Sequence, residues 1–140
     1  MAGMPARDQP HALLRAIPLF GVLDADAVDR LAAALEHRAF PEGTVVINEG
    51  DRGDCVYIVA EGELEIWHDG RPRAGVVRGD VLGEIALTKD VPRTATVLAV
   101  TDVELWEIGR EPFLEAVGPS AAAQLEAQAL ASERLPRLES

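Results

Sequence analysis

The chain has 140 residues, of which 48% are hydrophobic and 26% are charged, and its formal net charge is −11. This composition is typical of a single globular domain with a core of its own. The acidic balance argues against direct binding to nucleic acid, and no apolar run approaches the roughly eighteen residues of a membrane span. A single cysteine, Cys55, excludes an internal disulfide and favours a reducing, cytoplasmic setting.

The N-terminal part is predicted to be helical after a short lead. Residues 1–10 contain two prolines and no periodicity, so we expect them to be disordered. A first helix is predicted over His11–Ala16, because Pro18 disfavours its continuation.

A second helix is expected to begin after Asp24, a good N-cap residue, and to end near Glu36 or His37. It would complete an N-terminal helical region of residues 11–37. Its apolar residues recur at intervals of three and four and form one stripe: Val28, Leu31, Ala32 and Leu35.

From residue 38 to residue 110 the pattern changes to short strands separated by glycine-containing turns. Six segments have strand character: Thr44–Ile47, Cys55–Val59, Glu63–His68, Ala74–Val77, Thr94–Ala99 and Glu104–Ile108. In the third segment, Leu64 and Ile66 alternate with polar or aromatic neighbours, as expected for a strand with one buried side. Short strands with frequent turns indicate a mainly β sandwich or barrel, here with flanking helices.

The C-terminal part is again predicted to be helical, over residues 111–136. A turn or two over Glu111–Val117 would be broken by the Gly-Pro pair at 118–119. Ser120 can cap a further helix that runs to about Leu135 and stops at Pro136.

The segment Gly83–Val97, G-E-I-A-L-T-K-D-V-P-R-T-A-T-V, holds the candidate site. Glu84 can accept hydrogen bonds from hydroxyl groups, and Arg93 offers a planar fork of donors that matches phosphate oxygens. If a helical turn begins here, the backbone N–H groups of Ile85 and Ala86 point at the same anion, and Gly83 permits close approach. The pattern therefore predicts a ligand with both a phosphate and sugar hydroxyls.

The same segment resembles the phosphate-binding cassette of the cyclic-nucleotide-binding domains, the family of the catabolite activator protein and the regulatory subunits of cAMP-dependent kinase. That cassette reads G-E-[aliphatic]-A-[aliphatic], a loop, then R-[S/T/A]-A. The matching positions are Gly83, Glu84, Ile85, Ala86, Leu87, Arg93, Thr94 and Ala95. Glycines at 43, 50, 53, 62 and 79 also lie where the family turns its β-roll, so the resemblance covers about residues 11–117.

The resemblance implies a double-stranded β-helix, a jelly-roll-like β-roll, over residues 38–110, with N-terminal helices and a C-terminal lid helix. It thus implies one domain over residues 11–136, followed by a tail at 137–140. The implied ligand is cAMP, with cGMP as the alternative, and no further cofactor is implied.

The resemblance also assigns roles to the cassette. Glu84 would hold the ribose 2′-hydroxyl, and Arg93 with the N–H groups of Ile85 and Ala86 would clamp the cyclic phosphate. Thr94 could offer its hydroxyl to the phosphate or to the purine, which leaves the choice between cAMP and cGMP open.

Residues outside the cassette are assigned by the same resemblance. Ile47, Ile66 and Leu82 would line the pocket wall, although plain core positions explain the isoleucines equally well. Leu125 and Leu130 would cover the base from the C-terminal helix, although helix packing or dimerisation explains them too.

The implied mechanism is movement of the C-terminal helix, which would signal to an effector protein or to an effector domain outside this sequence. About two dozen residues follow Val117, too few for a helix-turn-helix domain, so we expect no direct DNA binding. The ending resembles regulatory modules of bacterial membrane transporters, and a homodimer is a further expectation.

Two rival classes of function stay open. One is a β-roll that serves interaction or dimerisation and no longer binds nucleotide. The other is a cupin-like metalloenzyme, which is disfavoured because His11, His37 and His68 are scattered without metal-ligand spacing. We find no catalytic constellation in the sequence and expect no enzyme activity.

Overall fold

The structure is a computed structural model that describes residues 9–84, 87 and 91–129. Its described helices are α1 (Gln9–Ala16), α2 (Pro18–Gly21), α3 (Ala25–Ala34) and α4 (Arg110–Val117), and residues 121–129 are also helical. Its described strands are β1 (Glu36–Phe40), β2 (Val45–Ile47), β3 (Cys55–Glu61), β4 (Leu64–His68), β5 (Arg71–Val76), β6 (Val81–Leu82), β7 (Thr96–Ala99) and β8 (Val103–Gly109). None of these helices is long and apolar enough to cross a membrane.

The strands form two four-stranded antiparallel sheets, with the orders β1-β8-β3-β6 and β2-β7-β4-β5. Buried side chains from both sheets pack together in one cluster, here called the roll core. Its buried members are Ile47, Tyr57, Val59, Leu64, Ile66, Val76, Leu82, Ala95, Val97, Ala99, Val103 and Leu105. The predicted mainly β roll with flanking helices is therefore confirmed.

A second cluster, here called the helical core, lies on the outer side of the first sheet. Residues on β3 alternate between the two clusters, because Tyr57 and Val59 belong to the roll core while Val56 and Ile58 belong to the helical core. Helix α2 meets α4 there through Phe20 and Phe113, whose ring centroids lie 6.2 Å apart, edge to face. The first sheet thus separates the roll interior from the helices.

The start of the chain differs from the prediction in two places. Gln9 and Pro10 are helical, so the expected disordered lead is wrong at these positions, and residues 1–8 lie outside the described part. The cap prediction is confirmed, because the Asp24 carboxylate accepts a hydrogen bond of 2.8 Å from the Ala27 N–H.

Helix α3 ends at Ala34, earlier than predicted, and the next residues form the edge strand β1. Leu35 is already extended, and His37 pairs with Trp106 on β8, with the two rings 5.3 Å apart. Pairing with a distant strand overrides the local helical pattern, so the roll begins at residue 36 and not at 38.

Strand boundaries also differ from the predicted ones where apolar alternation is weak. Strand β5 begins at Arg71, although the sequence places a strand only from Ala74, because an edge strand needs backbone pairing and not apolar side chains. Strand β6 was missed because it has two residues, and β7 begins at Thr96 and not at Thr94.

The C-terminal region follows the prediction as far as the structure describes it. The Ser120 hydroxyl accepts a hydrogen bond of 3.1 Å from the Ala123 N–H, which confirms the predicted cap. The expected helix end near Leu135 lies outside the described residues.

Candidate functional site

The side chain of Arg93 points into the protein, and the residue is only 8% exposed. Its Nη1 donates to the Gly83 carbonyl at 3.1 Å, and its Nη2 donates to the Cys55 carbonyl at 2.8 Å. The Cys55 Sγ lies 3.7 Å from the same Nη2. The guanidinium therefore joins the start of β3 to the residue that precedes Glu84.

The main chain at Arg93 is held as firmly as its side chain. The Gly50 N–H donates to the Arg93 carbonyl at 2.8 Å, and the Arg93 N–H donates to the Asp51 carbonyl at 2.7 Å. One residue on, the His68 Nδ1 lies 2.9 Å from the Thr94 carbonyl and is its donor. Sequence reasoning missed these contacts, because main-chain partners leave no signature in residue type.

Gly83 is required by both its conformation and its surroundings. Its φ is +90°, a region that residues with a side chain rarely adopt. A Cβ at this position would clash with the Arg93 Nη1 and would lie 3.2 Å from both the Arg93 Cζ and the Cys55 carbonyl oxygen. The glycine thus makes room for the guanidinium.

Glu84 is fully buried and helical, and it follows directly on the carbonyl that Arg93 binds. Leu87 is also helical, and its side chain packs in the helical core. Ile85 and Ala86, the predicted main-chain donors, lie outside the described residues. The structure therefore brings Gly83, Glu84 and Arg93 together and does not describe the two donors.

The charge of Arg93 is not balanced by an acidic side chain in the described ion pairs, none of which includes it. Its two short hydrogen bonds go to neutral carbonyls and engage two of its five N–H groups. Burying a cation without an opposite charge costs free energy. An anion with several oxygens would offset that cost and would accept hydrogen bonds from the remaining N–H groups of Arg93.

Two polar neighbours of the guanidinium on β3, the Cys55 thiol and the Tyr57 phenol, are neutral at neutral pH. Burial raises the pKa of the Cys55 thiol, although the Arg93 charge acts in the opposite direction. Burial also raises the pKa of Tyr57, which is next but one to Cys55 on the same side of β3. Both groups therefore stay protonated, and neither of them forms an ion pair with Arg93.

The three predicted wall residues, Ile47, Ile66 and Leu82, are all buried in the roll core. Their contact with a ligand stays a prediction. Of the two lid candidates, Leu125 is 67% exposed on the C-terminal helix, and Leu130 lies outside the described residues.

Within the described residues, no group of three or more His, Cys, Asp or Glu side chains could hold a metal ion. The described part of the chain thus contains no set of metal ligands that would support a cupin-like metalloenzyme.

The chain is similar in sequence to known proteins over more than half of its length. The family model of the cyclic nucleotide-binding domain matches residues 37–119. The cAMP-dependent protein kinase regulatory subunit of Emericella nidulans is 39% identical over 111 residues, which are 78% of this chain and 27% of that protein. The chain therefore spans little more than a quarter of this relative.

Solved structures agree as well. The regulatory domain of Toxoplasma gondii PKA, co-crystallised with cAMP, is 38% identical with a TM-score of 0.74, over 79% of this chain and 44% of that one. The regulatory subunit of a cAMP-independent protein kinase A from Trypanosoma brucei has the same fold, with 24% identity and a TM-score of 0.82, over 95% of this chain and 47% of that one.

The chain belongs to the cyclic nucleotide-binding domain family. The curated relative named above is a regulatory subunit of a protein kinase. A protein described as cAMP-independent has the same fold, so the fold alone does not identify the ligand. The ligand has to be inferred from the residues of the cassette.

Proposed function

We propose that this domain binds a cyclic nucleotide, in the first place cAMP, through the cassette between Gly83 and Thr94. The observation that carries the proposal is the Arg93 guanidinium, buried and held by two neutral carbonyls beside a fully buried Glu84. A cyclic phosphodiester supplies one negative charge and two free oxygens, which suits the planar donors of an arginine.

In this proposal each residue acts on a different part of the ligand. Arg93 and the N–H groups of Ile85 and Ala86 hold the phosphate, and Glu84 accepts the hydrogen bond of the ribose 2′-hydroxyl. Gly83 leaves the space in which the guanidinium lies, and Thr94 offers a hydroxyl close to the phosphate or the purine.

The choice of cAMP rests on the relatives. The curated protein and the co-crystallised Toxoplasma gondii domain both carry cAMP in their names. Thr94 leaves room for cGMP, so both nucleotides belong in the first titration.

We propose that the signal is a movement of the C-terminal helix. In the described part, this helix is attached to the helical core through Ala123 and Ala127, which are 0% and 3% exposed. Two methyl groups bury little apolar area, and each contributes on the order of 1 kcal/mol, so the helix can move at low cost. The side chain of Leu125 would then leave the solvent and pack on the purine.

The effector in this proposal is a protein kinase, because the relatives named above are kinase regulatory subunits. These matches lend no support to the association with bacterial transporters suggested by the C-terminal sequence. Homodimerisation stays a prediction.

Calorimetric titration with cAMP and cGMP tests the central claim. Arg93→Lys keeps the positive charge but loses the planar array of N–H donors. We expect the cAMP affinity to fall about tenfold to a hundredfold in this variant and in Arg93→Ala. Arg52→Lys is the matched control, because Arg52 is 82% exposed in the neighbouring loop. Flat titrations of the parent protein with both nucleotides would instead support an interaction domain that has lost its ligand.

The ribose contact has a test of its own. Glu84→Gln should weaken binding of cAMP more than binding of 2′-deoxy-cAMP, because the analogue lacks the hydroxyl assigned to Glu84. If the substitution weakens both ligands by the same factor, Glu84 has a structural role only.

A further inference from the structure

A groove of about 980 Å³ lies at the opposite end of the roll from Arg93. It is bounded by the turns that join β1 to β2, β3 to β4, β5 to β6 and β7 to β8. Strand β3 runs from Cys55 beside Arg93 to Glu61 at the groove, so the two places lie roughly 20 Å apart. The groove is therefore separate from the proposed nucleotide site.

Apolar side chains form part of the groove. Phe40 lies on its lining with its ring 6.5 Å from that of Tyr57, and Val77 is 52% exposed there. An exposed valine and a half-buried phenylalanine on the same lining give this end of the roll a surface that can bind an apolar side chain.

Acidic side chains outnumber basic ones around the same surface. The lining carboxylates belong to Glu61, Glu63, Asp102 and Glu104, and Arg78 is the one lining residue with a full positive charge. The Arg78 Nη1 donates to the Ala60 carbonyl at 3.0 Å, so part of its donor capacity is already used.

Two of these acids oppose one another in the strand pairing. Glu61 lies across from Glu104, and the hydrogen bond between the two carboxyl groups together with their like charge raises the pKa of Glu61. The hydrogen bonds that Glu104 accepts from Glu61 and from His37, which is 2.9 Å away, lower the pKa of Glu104. A cation placed in the groove would relieve this repulsion.

We propose that the groove docks a protein segment in which basic residues flank a bulky apolar one. The basic side chains would meet Glu61 and Glu104, and the apolar side chain would lie on Phe40 and Val77. Charge complementarity selects this partner over an acidic or neutral segment, and the apolar lining selects it over a small polycation. The proposal does not depend on nucleotide binding.

Fluorescence anisotropy with two labelled peptides tests the proposal on the 140-residue chain. The first, Gly-Arg-Leu-Arg-Gly, has both features, and the second, Gly-Arg-Gly-Arg-Gly, keeps the charge and loses the apolar side chain. Near 150 mM salt, screening over about 8 Å suppresses non-specific attraction to the acidic protein. We expect the leucine peptide to bind at least about tenfold more tightly than the glycine peptide.

Protein variants locate the binding. The double variant Glu61→Gln/Glu104→Gln should weaken binding of the leucine peptide at least about tenfold. The control variant Glu111→Gln/Glu115→Gln removes the same charge on α4 and should leave the affinity within about twofold of the parent value. Val77→Ser should weaken the leucine peptide and not the glycine peptide. Circular dichroism melts check that every variant is folded.

Three outcomes would overturn the proposal. The first is equal weakening by the groove variant and the α4 variant, which would indicate bulk charge. The second is equal affinity for the two peptides, and the third is displacement by spermidine at the same concentration as by the leucine peptide. Either of the last two would make the groove a site for polycations.

Discussion

The Arg93 Nη1 and the Gly83 carbonyl oxygen lie 3.1 Å apart, and a side chain on Gly83 would occupy the place of that nitrogen. The two residues are ten positions apart in the chain, on either side of the cassette loop. Their contact fixes the direction of the guanidinium before any ligand arrives. Such preorganisation reduces the ordering cost of binding.

Gly83→Ala should therefore lose both stability and affinity. The strained φ of +90° should lower the free energy of unfolding by about 1–3 kcal/mol. The added Cβ should displace the guanidinium and weaken cAMP at least about tenfold, measured by calorimetry. Gly79→Ala is the control, because Gly79 has the same φ and nothing within 4 Å of the new Cβ. Normal cAMP affinity in Gly83→Ala would show that the contact is dispensable.

His68→Ala tests the support of Thr94. Loss of the hydrogen bond to the Thr94 carbonyl should lower the free energy of unfolding by about 0.5–1.5 kcal/mol and raise the Kd for cAMP about twofold to tenfold. His11→Ala removes an exposed contact with Asp29 and should change neither quantity measurably. Urea denaturation and calorimetry measure the two effects. An unchanged Kd in His68→Ala would confine this contact to stability.

Leu125→Ala tests the lid. Because Leu125 is 67% exposed, its truncation should change the free energy of unfolding by less than about 0.5 kcal/mol. If its side chain covers the purine when ligand is bound, the Kd for cAMP should rise about threefold to tenfold. Val22→Ala, at 41% exposure on the opposite end of the chain, controls for loss of an exposed apolar side chain. Identical Kd values for the parent and Leu125→Ala would remove Leu125 from the lid.

The Glu61–Glu104 pair should make stability depend on pH. The raised pKa of Glu61 contributes stability that is fully present below the ordinary value of 4.5 and is lost as the pH rises through the folded-state pKa. In Glu61→Gln the amide keeps donating to Glu104 at all pH values, so its Tm should exceed that of the parent near pH 7 and approach it near pH 4. Glu115→Gln reports the general effect of removing one charge. A Tm difference that is constant over this range would contradict the assignment.

Much of the candidate site could be proposed from sequence, because its chemistry depends on residue types at short range in the chain. The cassette pattern between Gly83 and Ala95 is contiguous, and the caps at Asp24 and Ser120 act on N–H groups three residues on. Apolar alternation likewise placed Leu64 and Ile66 inside the roll. These features need no knowledge of distant partners.

Other features could not be read from the sequence, because they depend on residues far apart in the chain. Residues 36 and 37 join a strand only because β8 lies beside them, and the Cys55 carbonyl meets Arg93 only when the roll closes. A main-chain carbonyl is the same in every residue, so its selection as a partner has no sequence signal. Residue types thus specified which groups could bind an anion, including the positive charge of Arg93. The packing of strands distant in sequence determined that this side chain is buried and oriented at the place where the ligand is proposed to bind.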